Sequence, residues 1–89
     1  MSETAQESLD RDLKDVAVIG CGGWGTALGI LLDGIGHRVT IWGVDPDYMD
    51  QMRESRSNPW YLDGIEMPGS INLTGEMGDC VPGADLLVA

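Results

Sequence analysis

Residues 18–29, VIGCGGWGTALG, place four glycines within six positions directly after an apolar run. The segment that leads into them, Asp15–Ile19, is short, apolar and rich in β-branched residues, which predicts a buried parallel strand. From Trp24 onward the apolar residues recur at steps of three and four, which predicts a helix packed on a sheet. The predicted apolar stripe consists of Trp24, Ala27, Leu28, Leu31, Leu32 and Ile35.

The glycines follow the pattern Gly20-x-Gly22-x-x-Gly25, placed between the predicted strand and the predicted helix. In a dinucleotide-binding turn the first glycine makes the tight turn, the second lets pyrophosphate approach the backbone, and the third allows close helix–strand packing. The N–H groups near Gly23 and Trp24 would then point at the anion. Two alternatives remain open: a turn that binds nothing, and a site for another adenosyl ligand such as a methyl donor.

The rest of the chain repeats the alternation of strand and helix. Arg38–Trp42 predicts a second strand, and the segment 46–54, opened by Pro46, predicts a second helix. Residues 55–70 hold two prolines and two glycines and are predicted to form a structured loop. A weak third strand (71–74), one or two helical turns (75–81) and a fourth strand in ADLLVA (84–89) follow. The expected fold is α/β, a Rossmann-type doubly wound parallel sheet truncated after the fourth strand.

Composition restricts the function classes. Fifteen acidic and five basic residues give a formal charge of -10, which disfavours nucleic acid and anionic membranes as partners. The two cysteines form no Cys-x-x-Cys pair and there is one histidine, so we expect no metal site and a reducing cytoplasm. Residues 1–13 are predicted to be a disordered acidic tail without signal-peptide character, and 14–89 a partial dinucleotide-binding domain.

Asp45 lies twenty positions after Gly25, where an acidic residue can hold the adenosine ribose. An Asp before Pro is equally an ordinary helix N-cap, so both roles stay open. Val44 beside it has no charge with which to bind a 2′-phosphate, which favours NAD over NADP. His37 is expected to cap or pack, and Cys21 to be a small apolar spacer.

The pieces VIGCGGWGTALGILLDGIGHRVTIWGVDP, NPWYLDGI and GADLLVA resemble the N-terminal part of the bacterial-type NAD(P)-dependent glycerol-3-phosphate dehydrogenases. The resemblance implies an oxidoreductase that interconverts glycerol 3-phosphate and dihydroxyacetone phosphate for phospholipid biosynthesis. It places cofactor contacts on Gly23, Trp24, Val44 and Tyr61. The family usually has Ser at the position of Gly23, and Arg or His at the position of Val44.

In the family, the substrate domain and the catalytic lysines follow the region that these residues resemble. Lys14 is the only lysine here and matches no catalytic position. We therefore expect no catalytic residue in this chain, no activity by the chain alone, a substrate bound only with the missing domain, and a homodimer for the complete enzyme. A stand-alone nucleotide-binding module and a fragment of another Rossmann dehydrogenase remain as alternatives.

Overall fold

The computed structural model describes residues 14–88, so the predicted acidic tail lies outside the described part of the chain. The elements follow the predicted alternation, with one addition in the loop. In chain order they are β1 (Asp15–Ile19), α1 (Gly23–Ile35), β2 (Arg38–Trp42), α2 (Pro46–Ser55), β3 (Ser57–Asn58), β4 (Leu62–Glu66), β5 (Asn72–Thr74), a 3-10 turn (Met77–Asp79) and β6 (Leu86–Val88).

Four of the strands form one parallel sheet in the order β5-β2-β1-β6. The chain first builds outward from β1 through β2 to β5, then crosses back to place β6 on the other side of β1. The direction of winding therefore reverses between β1 and β6. Such a reversal opens a crevice at the carboxyl ends of the strands, where ligands of α/β proteins bind. The predicted doubly wound α/β sheet is confirmed.

One face of this sheet carries the hydrophobic core. Val18 on β1 pairs with Ile41 on β2, which pairs in turn with Leu73 on β5, so the three side chains share one face. Met49 and Met52 from α2 pack against them, and all five side chains are buried. On each strand every second side chain thus points into this core, because successive side chains of a strand point to opposite faces of the sheet.

The prediction of which side of α1 is buried is wrong. The buried residues of the helix are Thr26 and Gly29, whereas most of the predicted stripe is exposed, with Trp24 71% accessible. Gly29 lies so close to the sheet that a Cβ there would be 2.9 Å from Ile41 Cδ1. Small residues permit this close approach, so they face the sheet although they carry little hydrophobicity. The exposed members of the stripe include Trp24, Ala27, Leu31 and Ile35.

The predicted loop 55–70 contains a short antiparallel hairpin, which corrects the prediction. Ser57 of β3 pairs with Glu66 of β4, and Asn58 pairs with Leu62, with an irregularity between the two pairs. Residues 59–61 form the tip. The polar β3 shows no hydrophobic alternation, so its residues carry no strand signal.

Neither helix in residues 14–88 reaches the length and hydrophobicity that a bilayer crossing requires.

The end of α1 is set by a local signal, a glycine. α1 ends at Gly36, which adopts the left-handed conformation with φ of 114° and donates its N–H to the Asp33 carbonyl (3.0 Å). A residue without Cβ adopts this conformation at little cost, so the predicted helix end is confirmed.

Candidate functional site

The glycine loop follows β1 at the carboxyl end of the sheet. Gly20 has φ of 121°, a conformation that favours glycine, and its N–H donates to the Trp42 carbonyl at 2.7 Å. That bond ties the end of β1 to the end of β2 at the point where the chain turns. Gly20 therefore makes the tight turn expected of the first glycine in the pattern.

The second and third glycines differ in their surroundings. A Cβ at Gly25 would lie 2.9 Å from the Gly20 carbonyl oxygen and 3.3 Å from Val18 Cγ1, so α1 packs closely on β1. A Cβ at Gly22 would have no protein atom within 4 Å. Gly25 is thus required by the packing of the protein, whereas the space beside Gly22 is open to a ligand.

The N-terminus of α1 directs main-chain donors into the same space. The N-cap is Gly22, which has no side chain to cap the helix, and its carbonyl accepts the first helical bond from Thr26 N–H at 2.9 Å. The N–H groups of Gly23, Trp24 and Gly25 precede that bond in the first turn. Such groups have no partner within the helix and, with the helix dipole, favour an anion.

Val44 and Asp45 follow β2 at the same end of the sheet. A Cβ on the preceding Gly43 would lie 3.0 Å from Cys21 Sγ, which brings this segment beside the glycine loop. Val44 is 80% exposed. The Asp45 side chain caps α2 by accepting from Asp47 N–H (3.0 Å) and Tyr48 N–H (3.3 Å). The capping role is confirmed, and because both bonds end on Oδ1, the second carboxylate oxygen takes no part in it.

The tip of the β3–β4 hairpin covers the start of α1. The main-chain carbonyl of Tyr61 lies directly against Gly23, where any Cβ would collide with it. Any side chain at this position, a serine included, would therefore require the tip to shift. The Tyr61 ring, half exposed, lies edge-on to Tyr48 and to Trp60, each with ring centroids 6.4 Å apart. Tyr61 thus joins the predicted glycine-loop residues in space.

A buried polar cluster beneath the loop was missed as a functional feature. Asn58 Nδ2 donates to the Cys21 carbonyl (2.7 Å) and to Thr26 Oγ1 (2.9 Å), and Thr26 Oγ1 donates to the same Cys21 carbonyl (3.2 Å). The Tyr48 hydroxyl donates to Asn58 Oδ1 and accepts from Trp60 N–H at 3.2 Å. No local pattern in the sequence indicates the cluster, and Asn58 stands out there only within NPWYLDGI, one of the segments that carry the family resemblance.

Burial shifts the pKa values of two groups in this region, Cys21 and Tyr48, toward the neutral form. Burial raises the pKa of the Cys21 thiol, and the Asp45 carboxylate adds to the effect, so the thiol is protonated at neutral pH. This agrees with the interpretation of Cys21 as a spacer. Burial also raises the pKa of the Tyr48 hydroxyl, which keeps it able to donate to Asn58.

The remaining candidates lie elsewhere. His37 Nδ1 accepts the N–H of Lys14 at 2.9 Å, at the end of the sheet opposite to the glycine loop. This contact fits the prediction that His37 caps or packs. Across residues 14–88, His, Cys, Asp and Glu side chains form no group of three or more that could hold a metal ion.

A parallel sheet that reverses its winding, with a glycine turn leading into a helix at the reversal, defines a Rossmann-type nucleotide-binding domain. Comparison with known proteins gives the particular family. The chain belongs to the NAD-dependent glycerol-3-phosphate dehydrogenases, because the family model for their N-terminus matches residues 15–89. The match confirms the resemblance noted in the sequence.

Individual relatives agree. A glycerol-3-phosphate dehydrogenase [NAD(P)+] of Bacillus velezensis is 40% identical over 76 residues, which cover 85% of this chain and 22% of the relative. One from Legionella pneumophila is 39% identical over 75 residues, covering 84% and 23%. The crystal structure of a glycerol-3-phosphate dehydrogenase from Coxiella burnetii superposes with a TM-score of 0.77 at 27% identity, covering 85% of this chain and 24% of that one. The chain thus spans less than a quarter of the length of these relatives.

Proposed function

We propose that this chain binds a nicotinamide dinucleotide as the cofactor-binding part of a glycerol-3-phosphate dehydrogenase. One observation carries the proposal: the open space beside Gly22 adjoins the first-turn N–H groups of α1 at the switch point of the sheet. Space without a side chain and donors without a helical partner are the two requirements of a pyrophosphate site.

The residues around this space fit the cofactor. Gly20, Gly22 and Gly25 shape the loop, and the N–H groups of Gly23 and Trp24 would donate to the pyrophosphate. The exposed side chains of Trp24 and Tyr61 flank the same helix start. When bound, the nicotinamide accepts or supplies the hydride, so the contribution of this chain is to bind and orient the cofactor.

The segment after β2 would hold the adenosine ribose. The Asp45 oxygen that does not cap α2 can accept from a ribose hydroxyl. The exposed Val44 offers no charge, and Asp47 stands in the first turn of α2. A 2′-phosphate would meet carboxylates here, so we propose that the chain prefers NAD to NADP.

The complete reaction is part of the same proposal. It is the interconversion of sn-glycerol 3-phosphate and dihydroxyacetone phosphate in glycerol-3-phosphate metabolism, which feeds glycerophospholipid synthesis, in the cytoplasm and in a homodimer. Relatives named for this activity support it, and they are more than four times as long as the matched segment. We assign no catalytic residue to this chain, and Lys14, its only lysine, lies at the far end of β1.

The test is the substitution Gly22→Val in the full chain, titrated with NADH and with ADP by calorimetry. We expect an affinity loss of about tenfold or more, because the branched side chain fills the pyrophosphate space, while the unfolding midpoint stays nearly unchanged. The matched control is Gly69→Val, a position equally free of neighbours but remote from the loop. Wild-type protein that binds neither NADH nor ADP, or a Gly22→Val variant with unchanged affinity, would contradict the proposal.

A further inference from the structure

Asn58 is a fully buried amide with every polar atom engaged. Its side chain is 0% exposed, and its bonds join four segments: the glycine loop at Cys21, α1 at Thr26, α2 at Tyr48 and its own hairpin. Within residues 14–88 no buried side-chain nitrogen or oxygen lacks a partner, so the cluster is complete. Complete buried networks fix one arrangement, because each alternative leaves a polar group without a bond.

The cluster holds one peptide group in particular. The Cys21 carbonyl accepts two bonds, from Asn58 Nδ2 at 2.7 Å and from Thr26 Oγ1 at 3.2 Å, and it is thereby turned toward the interior. The peptide that joins Cys21 to Gly22 is trans, so its N–H points the opposite way from its carbonyl. The clamp on the carbonyl therefore directs the Gly22 N–H outward, into the open space beside the loop.

The orientation matters because a glycine loop can reorient cheaply. With glycine at positions 20, 22 and 23, rotation of the 21–22 peptide meets few side-chain clashes. A rotated peptide would present a carbonyl oxygen, a partial negative charge, to an incoming phosphate. The inward orientation presents an N–H donor instead, and hydrogen bonds to charged groups are stronger than neutral ones.

We propose that Asn58 is a positioning residue for the pyrophosphate, acting through the 21–22 peptide with Thr26 as its second donor and Tyr48 as its support. The proposal rests on the proposed function, since it concerns the same site. Asn58 touches no ligand itself. Its effect reaches the anion only through the direction of the Gly22 N–H.

The test compares ADP, which has the pyrophosphate, with adenosine, which has none, by ¹⁵N–¹H NMR titration of the full chain. Thr26→Val and Asn58→Leu each remove a donor to the Cys21 carbonyl without adding charge. We expect each to weaken ADP binding by about tenfold, the effect of one hydrogen bond to a charged group, and to change adenosine binding less than about twofold. In the wild type, ADP should move the Gly22 amide proton downfield, and the variants should lose that shift.

Two controls separate positioning from simple destabilisation. Thr26→Ser keeps the hydroxyl and should restore ADP binding. Thr74→Val removes another buried hydroxyl, one that donates to Asp79 (2.8 Å) and accepts from Glu76 N–H (3.0 Å), and should leave the ratio of ADP to adenosine affinity unchanged. If Asn58→Leu does not fold, the comparison of Thr26→Val with Thr26→Ser tests whether the donors to the Cys21 carbonyl affect ADP binding.

The outcomes are distinct. Wild-type protein that fails to bind ADP overturns the proposed function and this proposal together. Wild-type binding with unchanged ADP affinity in Asn58→Leu, or in Thr26→Val where the leucine variant does not fold, overturns the positioning role alone. An equal loss of ADP and adenosine affinity does the same, because it shows a role in the fold only.

Discussion

The two ends of the parallel sheet are built from different chemistry. At the carboxyl ends of the strands, main-chain groups and one buried amide do the orienting, through Gly20, Cys21 and Asn58. At the amino ends, exposed charges join neighbouring strands and helices: Arg38 pairs with Asp15, and Ser70 donates to Asp33 at 2.7 Å. Arg56, after α2, donates to the carbonyl of Ile71 just before β5 at 2.6 Å.

The difference follows from what each end has to do. A site for an anion needs fixed donors, and at the glycine loop the buried neutral side chains of Asn58 and Thr26 fix the main chain without a carboxylate of their own, whereas the Asp45 carboxylate at the same end caps α2. An end with no such requirement can use solvent-exposed ion pairs, which salt and water weaken. Substitutions at the carboxyl end should therefore change binding and stability strongly and the loss of an exposed ion pair at the amino end weakly, with the half-buried Arg56 between them.

The largest effect is expected for Gly25→Ala. The new Cβ would lie 2.9 Å from the Gly20 carbonyl oxygen, a main-chain atom that cannot rotate away, so the glycine loop must shift. We expect a loss of about 1–3 kcal/mol in the free energy of unfolding, as for overpacked sites, with NADH affinity reduced about tenfold or more. Urea denaturation and calorimetric titration measure the two quantities.

Gly34→Ala on the same helix is the matched control. A Cβ there meets no protein atom within 4 Å, so the helix propensity of alanine should raise stability by about 0.5–1 kcal/mol. Equal behaviour of the two variants would show that the close approach of α1 to the loop is unimportant.

An intermediate effect is expected at Arg56, which has φ of 53° and ψ of 42°, in the left-handed region. Arg56→Ala loses the guanidinium hydrogen bonds to the Pro68 and Ile71 carbonyls, and alanine is as strained as arginine in the left-handed conformation. We therefore expect a loss of about 1–2 kcal/mol in the free energy of unfolding. Arg56→Gly loses the same bonds but relieves the backbone and should recover about 1 kcal/mol of it. If urea denaturation shows that the glycine variant is no more stable than the alanine variant, the left-handed backbone at position 56 carries no cost in stability.

The smallest effect is expected for Asp15→Asn. The hydrogen bond from Arg38 holds the pKa of the Asp15 carboxyl below its ordinary value. As the pH falls, the Asp15 carboxyl is therefore protonated at a higher pH in the unfolded chain than in the folded one. The stabilisation from ionised Asp15 is thus complete above the unfolded pKa of about 3.9 and is lost as pH falls through the lower folded value. Thermal midpoints of wild type and variant should differ at pH 6 and converge below about pH 4.

High salt should also reduce the difference at pH 6, because the pair is exposed. Asp63→Asn, an exposed carboxylate on β4, is the control, and we expect it to follow the wild type across the pH range. A midpoint difference for Asp15→Asn that persists unchanged at pH 3 would contradict the ion-pair explanation.

The local parts of the fold could be predicted from the sequence. Glycine after an apolar run, Asp45 before Pro46, and Gly36 after a helical stripe are signals that act within a few residues, and each element lies where they placed it. The doubly wound parallel sheet could be predicted from the alternation of strands and helices along the chain. The cofactor roles of the glycines, Trp24, Val44, Asp45 and Tyr61 stay predictions.

The parts that failed depend on distant contacts. α1 is apolar on two sides, so periodicity alone could not tell that Thr26 and Gly29 face the sheet. The Asn58 cluster joins residues as many as 37 positions apart, and the hairpin that carries it has a polar strand. Such a network exists only once the elements have packed, and no local pattern encodes it.

The three tryptophans all stand at the carboxyl end of the sheet, and this has a spectroscopic consequence. Trp24 opens α1, Trp42 ends β2, and Trp60, at the hairpin tip, stacks on Tyr48 with ring centroids 4.2 Å apart. Tryptophan fluorescence of this protein therefore reports on the carboxyl end of the sheet and not on the amino end. An unfolding curve followed by fluorescence describes the glycine-loop end, and only coincidence with circular dichroism extends it to the whole chain.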